Sequence, residues 1–126
     1  MTLPVDARIQ AARSFVRDIR SAAEFLHQQD STTAAARYDV LLAQLKDARE
    51  HLRWNPAGGR PARFLGAGST QGQMMAARAR TLAAAHGVPH LRELVVKPYV
   101  LLYAHGDDLV VLLALKHERE LLFRLP

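Results

Sequence analysis

The stretch YVLLYAHGDDLVVLLAL, Tyr99 to Leu115, carries the reading of this chain's architecture. Two runs rich in Val, Leu and Tyr, Tyr99 to Ala104 and Leu109 to Leu115, flank His105-Gly106-Asp107-Asp108. Glycine and aspartate tolerate the backbone of a tight reversal, so the pair reads as a β-hairpin. Both runs are apolar on both faces, which places them centrally in a sheet. Leu91 to Lys97 gives a preceding strand, interrupted by Pro98, and Leu121 to Leu125 can add a last one.

Toward the N-terminus the period changes twice. In Met1 to Ile9, Leu3, Val5, Ala7 and Ile9 alternate as in a half-buried strand, and Pro4 makes it an edge. From Gln10 onward Ala12, Val16, Ile19, Ala23 and Leu26 follow helical spacing, with Arg13, Arg17, Arg20 and Glu24 outward. Asp30 or Ser31 can cap a second helix running to about Trp54. Its expected inward stripe is Ala34, Tyr38, Leu41, Leu42, Leu45, Ala48 and Leu52, with Trp54 as a plug over the core. The short connection makes the two helices an antiparallel hairpin.

Pro56 to Pro61 is a turn cluster, and Ala62 to Leu65 can form a short strand. Thr70-Gln71-Gly72-Gln73 reads as a capping box for an alanine-rich helix ending near His86-Gly87. Its few large apolar residues make it an insertion near 70–86 rather than a core element. The predicted fold class is α+β: one domain over 1–126, order β-α-α-β-(α)-β-β-β, an antiparallel sheet with the helix hairpin on one face.

Composition narrows the function. The chain has 126 residues, 49% hydrophobic and 23% charged, as expected of one soluble domain. It has no cysteine, which excludes disulfide scaffolds, thiolate metal sites and thiol catalysis. The longest apolar run, Leu109 to Leu115, is far below the ~18–20 residues of a membrane span. No secretory signal stands at the N-terminus, so a cytoplasmic location without membrane partners is expected. The net charge of +5 favours anionic partners, and from His51 to Arg92 there are six arginines and no acid.

Familiar catalytic patterns are missing. His86 and His90 are separated by Gly87 and Pro89, so they cannot form a helical metal pair; no metal or other cofactor is expected. Gly58-Gly59 lacks the downstream Lys-Ser/Thr of a phosphate loop, and the serines show no triad logic.

Three segments carry a family resemblance: Leu52-Arg53-Trp54-Asn55-Pro56-Ala57-Gly58-Gly59-Arg60-Pro61, with a Pro-x-x-Gly-Arg turn after the second helix; Leu91-Arg92-Glu93-Leu94 leading into Pro98 to Tyr103; and Leu109 to Arg119, ending His117-Glu118-Arg119. In this order they resemble the RelE/ParE superfamily of toxins from bacterial type II toxin–antitoxin systems. The resemblance implies a cognate antitoxin and one of two targets. RelE-like members cut mRNA on the ribosome without metal; ParE-like members inhibit DNA gyrase and need no catalytic residues.

Metal-free RNA cleavage would need a proton-transfer group and cations on the phosphate. On the first, ribosome-dependent endoribonuclease reading, His117 is the acid or base, with Arg92 and Arg119 completing the catalytic set. Arg60, Arg63, Lys97, Tyr99 and Lys116 would contact nucleic acid or target. Each also has a plainer reading: His117 as a structural histidine, the cations as solvated or antitoxin-facing, Tyr99 and Tyr103 as core. Glu93 serves as a base only if its pKa is raised.

Overall fold

The computed structural model describes residues 6–126. Strand β1 (Arg8–Ala11) leads into helices α1 (Arg13–Gln29) and α2 (Ala34–Trp54). A two-residue strand β2 (Arg60–Pro61) lies between short 3-10 turns at Pro56–Gly58 and Arg63–Gly66. Helix α3 (Thr70–Ala85) follows, then β3 (His90–Val96), β4 (Tyr99–His105) and β5 (Leu109–His117). The strands form a single five-stranded sheet in the order β1-β5-β4-β3-β2. The α+β class, the element order and the hairpin of helices are as expected from sequence.

The central hairpin explains the sheet. Every residue of β4 is buried, as are Val110 to Leu115 of β5, because both faces are covered. On one face α1 and α2 pack Phe15, Leu41, Leu45 and Leu52 against Tyr99, Leu101, Tyr103 and Leu112. On the other, α3 brings Met75, Ala79 and Ala83 against Val100, Leu102, Val111 and Leu113. The inserted helix is therefore a core element after all. Apart from Met75 its buried residues are Gly72, Ala76, Ala79 and Ala83, three or four apart and small, so the helix backbone can lie close to the sheet.

Several local expectations need correction. β1 pairs parallel to β5, while the other neighbours are antiparallel, and residues 1–5 of the predicted first strand lie outside the described residues. Ala62 to Leu65 is mostly 3-10 turn, the short strand being Arg60–Pro61; Pro61 has no N–H for the ladder, and Ala62 N–H adds one bond to Leu91 O at 3.2 Å before the chain turns. Leu121 to Leu125 is irregular; Phe123 and Leu125 fold back onto the α3-side core. Helix α3 is capped one residue early: the Ser69 hydroxyl accepts from Gly72 N–H, while Gly87 ends it at φ +73°, as expected of a glycine there. Trp54 is largely exposed beneath the Arg53 guanidinium, 4.8 Å from its ring, and does not plug the core. In α2, Leu42 is exposed and Tyr38 half-buried.

The inward face of α1 also differs, for a physical reason. Ser14, Phe15, Asp18, Ala22 and Leu26 are buried, whereas Val16 is exposed. β1 ends opposite Leu112, leaving the rest of the β5 edge without a strand partner. A bulge sits there: Leu102 pairs with Ala114 and Tyr103 with Leu112, so Leu113 is the extra residue. Ser14 Oγ donates to the freed Leu113 carbonyl, and Asp18 Oδ2 accepts from Leu115 N–H at 2.9 Å. Two polar side chains one helical turn apart thus stand in for a missing strand. Burial pushes the Asp18 carboxyl above its ordinary range, outweighing the opposing Leu115 N–H and the guanidinium groups of Arg17 and Arg124.

Candidate functional site

Between the α1–α2 hairpin and the adjoining ends of β4 and β5 lies a cleft of about 770 Å³. Ala22, Leu41, Tyr99 and Leu115 are its buried apolar lining, while Phe25 and Val40 line it as exposed side chains, 49% and 58% accessible. Arg37, Lys97, Arg119 and Arg124 bring four cations to it. Two carboxylates, Asp18 and Glu120, oppose them, and Asp18 is already held between Arg17 and Arg124. The result is an apolar trough with a positive rim.

His117 ends β5 within this cleft. Its Nδ1 accepts from the Arg119 N–H at 3.2 Å, which leaves Nε2 to carry the proton of the neutral ring. Tyr99 meets the imidazole edge-on, with ring centroids 5.6 Å apart, because the two residues are register partners. Burial raises the pKa of the Tyr99 phenol, so it is a donor at neutral pH. Lys116, by alternation, points to the other face. Its Nζ donates to the Glu120 carbonyl and lies 5.3 Å from the Phe123 ring centroid.

A second polar assembly occupies the opposite end of the sheet. Tyr103 is fully buried; its hydroxyl donates to Pro56 O at 2.7 Å and accepts from Gly59 N–H at 2.9 Å. Arg92 Nη1 donates to Gly59 O, and Arg92 Nε donates to His105 Nε2, both at 3.0 Å. Since His105 Nε2 accepts, Nδ1 carries the proton and donates to Gly106 O at 2.9 Å. Glu93, on the other face, accepts from Arg63 N–H at 2.8 Å and lies 3.6 Å from Arg60 Nε. These contacts bolt the Pro56–Arg60 turn to the sheet, and they use Arg92 and Glu93 structurally.

The candidate residues therefore fall into two groups. His117, Arg119, Lys97 and Tyr99 share the cleft; Arg92, Arg60 and Arg63 lie at the far end, and Lys116 belongs to neither. Tyr99 pairs with His117 and Tyr103 with Arg92, four residues apart along β4 and on its two flanks. That register separates the Cα atoms of His117 and Arg92 by about 16 Å, from ~3.3 Å per residue and ~4.8 Å per strand. Among the described residues no group of three or more His, Asp or Glu is placed to hold a metal ion, and no helix is long and apolar enough to cross a membrane.

Residues 9–122 match the family described as "ParE toxin of type II toxin-antitoxin system, parDE". The chain belongs to the ParE toxin family. No curated protein matches it in sequence. As a type II toxin it has an antitoxin for a partner. The Pro-x-x-Gly-Arg turn of this ParE toxin, Pro56 to Arg60, is the segment that Tyr103 and Arg92 hold.

Asp18 and His105 of this ParE toxin are among the residues that escaped the sequence reading. Asp18 left one signal, a carboxylate spaced three from Phe15 and four from Ala22 on an apolar face. His105 reads locally as a turn residue; its bond to Arg92 depends on register. Burial lowers the His105 pKa, aided by His90 and Arg92 and opposed by the Gly106 bond and Asp107. The folded protein thus resists a proton that the unfolded chain accepts below about 6.5. Its contribution is full above that value and is lost as pH falls toward the folded pKa. Urea midpoints should therefore drop between about pH 7 and pH 5 more steeply in the native chain than in a His105→Asn variant, itself less stable throughout.

Proposed function

We propose that this toxin acts by binding rather than by cleavage, as a ParE-like inhibitor of DNA gyrase. The observation that carries the reading is the separation of His117 from Arg92. Cleavage would need the proton-transfer group and the phosphate-holding cation around one phosphate, within hydrogen-bond reach. Arg92 instead spends Nε and Nη1 on His105 and Gly59. The antitoxin, on this reading, lays an acidic amphipathic segment into the cleft. Its apolar face covers Phe25 and Val40, and its carboxylates meet Arg37, Lys97, Arg119 and Arg124.

One observation favours the mRNA-cleaving alternative: His117, Tyr99, Lys97 and Arg119 stand together in the cleft. His117→Gln separates the two. It keeps size and hydrogen bonding on a half-buried side chain, and thermal melts check the fold. We expect the variant still to arrest growth and block supercoiling, with translation untouched. A loss of mRNA cleavage by ~10²–10⁴-fold, with supercoiling never affected, would instead select the nuclease.

A further inference from the structure

The apolar cleft between the α1–α2 hairpin and the sheet holds two hydrogen-bond donors that the free toxin leaves unused. Tyr99 is only 8% exposed, and its hydroxyl makes no hydrogen bond among the described residues. His117 Nδ1 accepts from Arg119 N–H, so Nε2 carries the proton, and that N–H also has no partner among the described residues. Both side chains line the cleft from the same face of the sheet, because Tyr99 and His117 are register partners whose rings meet edge-on. Lys97 and Arg119 line it too and form no ion pair among the described residues. The two acids of the cleft are already engaged: Asp18 lies between Arg17 and Arg124, and Glu120 Oε1 accepts from the His117 backbone N–H.

We infer that the antitoxin buries one carboxylate here, accepting from the Tyr99 hydroxyl and from His117 Nε2–H; the inference rests on the cleft being the antitoxin's seat. In the free toxin water can serve both donors, since the Tyr99 oxygen is not sealed from solvent. A partner that covered the cleft with apolar atoms alone would strip that water and leave two buried donors unpaired, a penalty that opposes binding. Tight binding therefore demands an acceptor set within the partner's apolar face. A carboxylate suits the place best. It has two oxygens for two donors on neighbouring side chains, and its hydrogen bonds are charge-assisted. Lys97 and Arg119 add positive charge that no acid of the toxin compensates. The rim cations attract any acidic segment, whereas the Tyr99–His117 pair selects one acid at one position.

Tyr99→Phe removes the hydroxyl and keeps the ring, so the melting curve of the free toxin should not fall. Calorimetric titration with the purified antitoxin should show affinity weakened by about 10- to 100-fold, the usual effect of losing a charge-assisted hydrogen bond. Tighter binding by the variant would mean that apolar atoms cover the hydroxyl, and would overturn the inference. Alanine replacement of each polar antitoxin residue in turn, against native toxin and Tyr99→Phe, identifies the acceptor as the residue whose loss matters far less to the variant. An aspartate or glutamate is expected. A neutral residue in that role would refute the carboxylate, and the lack of any coupled residue would refute the contact. Unchanged affinity in Tyr99→Phe, alongside a loss from Phe25→Glu with Val40→Glu, would sink this inference and leave the antitoxin in the cleft. Unchanged affinity in both toxin variants would remove the antitoxin from the cleft altogether.

Discussion

Gly59→Ala is expected to remove most of the stability of the fold. An alanine Cβ at this position would stand 2.5 Å from Glu93 O and 2.8 Å from the Tyr103 hydroxyl. Neither neighbour can yield cheaply: one is β3 backbone, the other a fully buried phenol bonded on both sides. Relief requires the turn to lift from the sheet, breaking the Tyr103 bond to Gly59 N–H and the Arg92 bond to Gly59 O. Overpacking of ~1–3 kcal/mol plus two buried polar groups left unpaired at ~1–3 kcal/mol each gives a loss of roughly 3–9 kcal/mol. Against a typical margin of ~5–15 kcal/mol, that is severe. Chemical denaturation measures it directly. Gly66→Ala, where an added Cβ meets nothing within 4 Å, is the matched control and should change stability little. A Gly59→Ala chain as stable as the native one would show that the turn is not held as described.

The second large effect concerns the antitoxin. Phe25→Glu combined with Val40→Glu should weaken its binding by about 10³-fold or more, since buried aromatic and aliphatic anchors dominate interface energies at ~2–4 kcal/mol each. Both side chains are substantially exposed in the free toxin, so the folded monomer should tolerate the change within about 0.5 kcal/mol. The added negative charge also opposes an acidic partner and should slow association at low salt. Calorimetric titration gives the affinity, and a melting curve shows whether the fold is intact. Undiminished affinity would place the antitoxin elsewhere.

How far the sequence spoke differs from element to element. The Tyr99–Leu115 hairpin was legible because a run of large apolar residues around a Gly-Asp-Asp turn has few other uses. The role of α3 was not, since Ala79 and Ala83 carry so little surface that a core-facing stripe looks like neutral composition. Ser14 and Asp18 were hidden for another reason: they satisfy backbone groups of β5 nearly a hundred residues away. No local pattern records such a partner. The cations were legible as a group, but their distribution was not. Which of them gather with His117 is set by the register of β4 on its two neighbours, and residue type is silent about register.

The double cover on β4 also governs how the protein breathes. Each of its residues is buried, it is flanked by β3 and β5, and it lies between two helical layers. Local fluctuations that fray α3 or the outer strands leave it sheltered, so its amide protons can exchange with solvent only when the whole molecule opens. The strand is thereby an internal clock for global unfolding, one that an antitoxin seated in the cleft at its Tyr99 end would slow along its whole length.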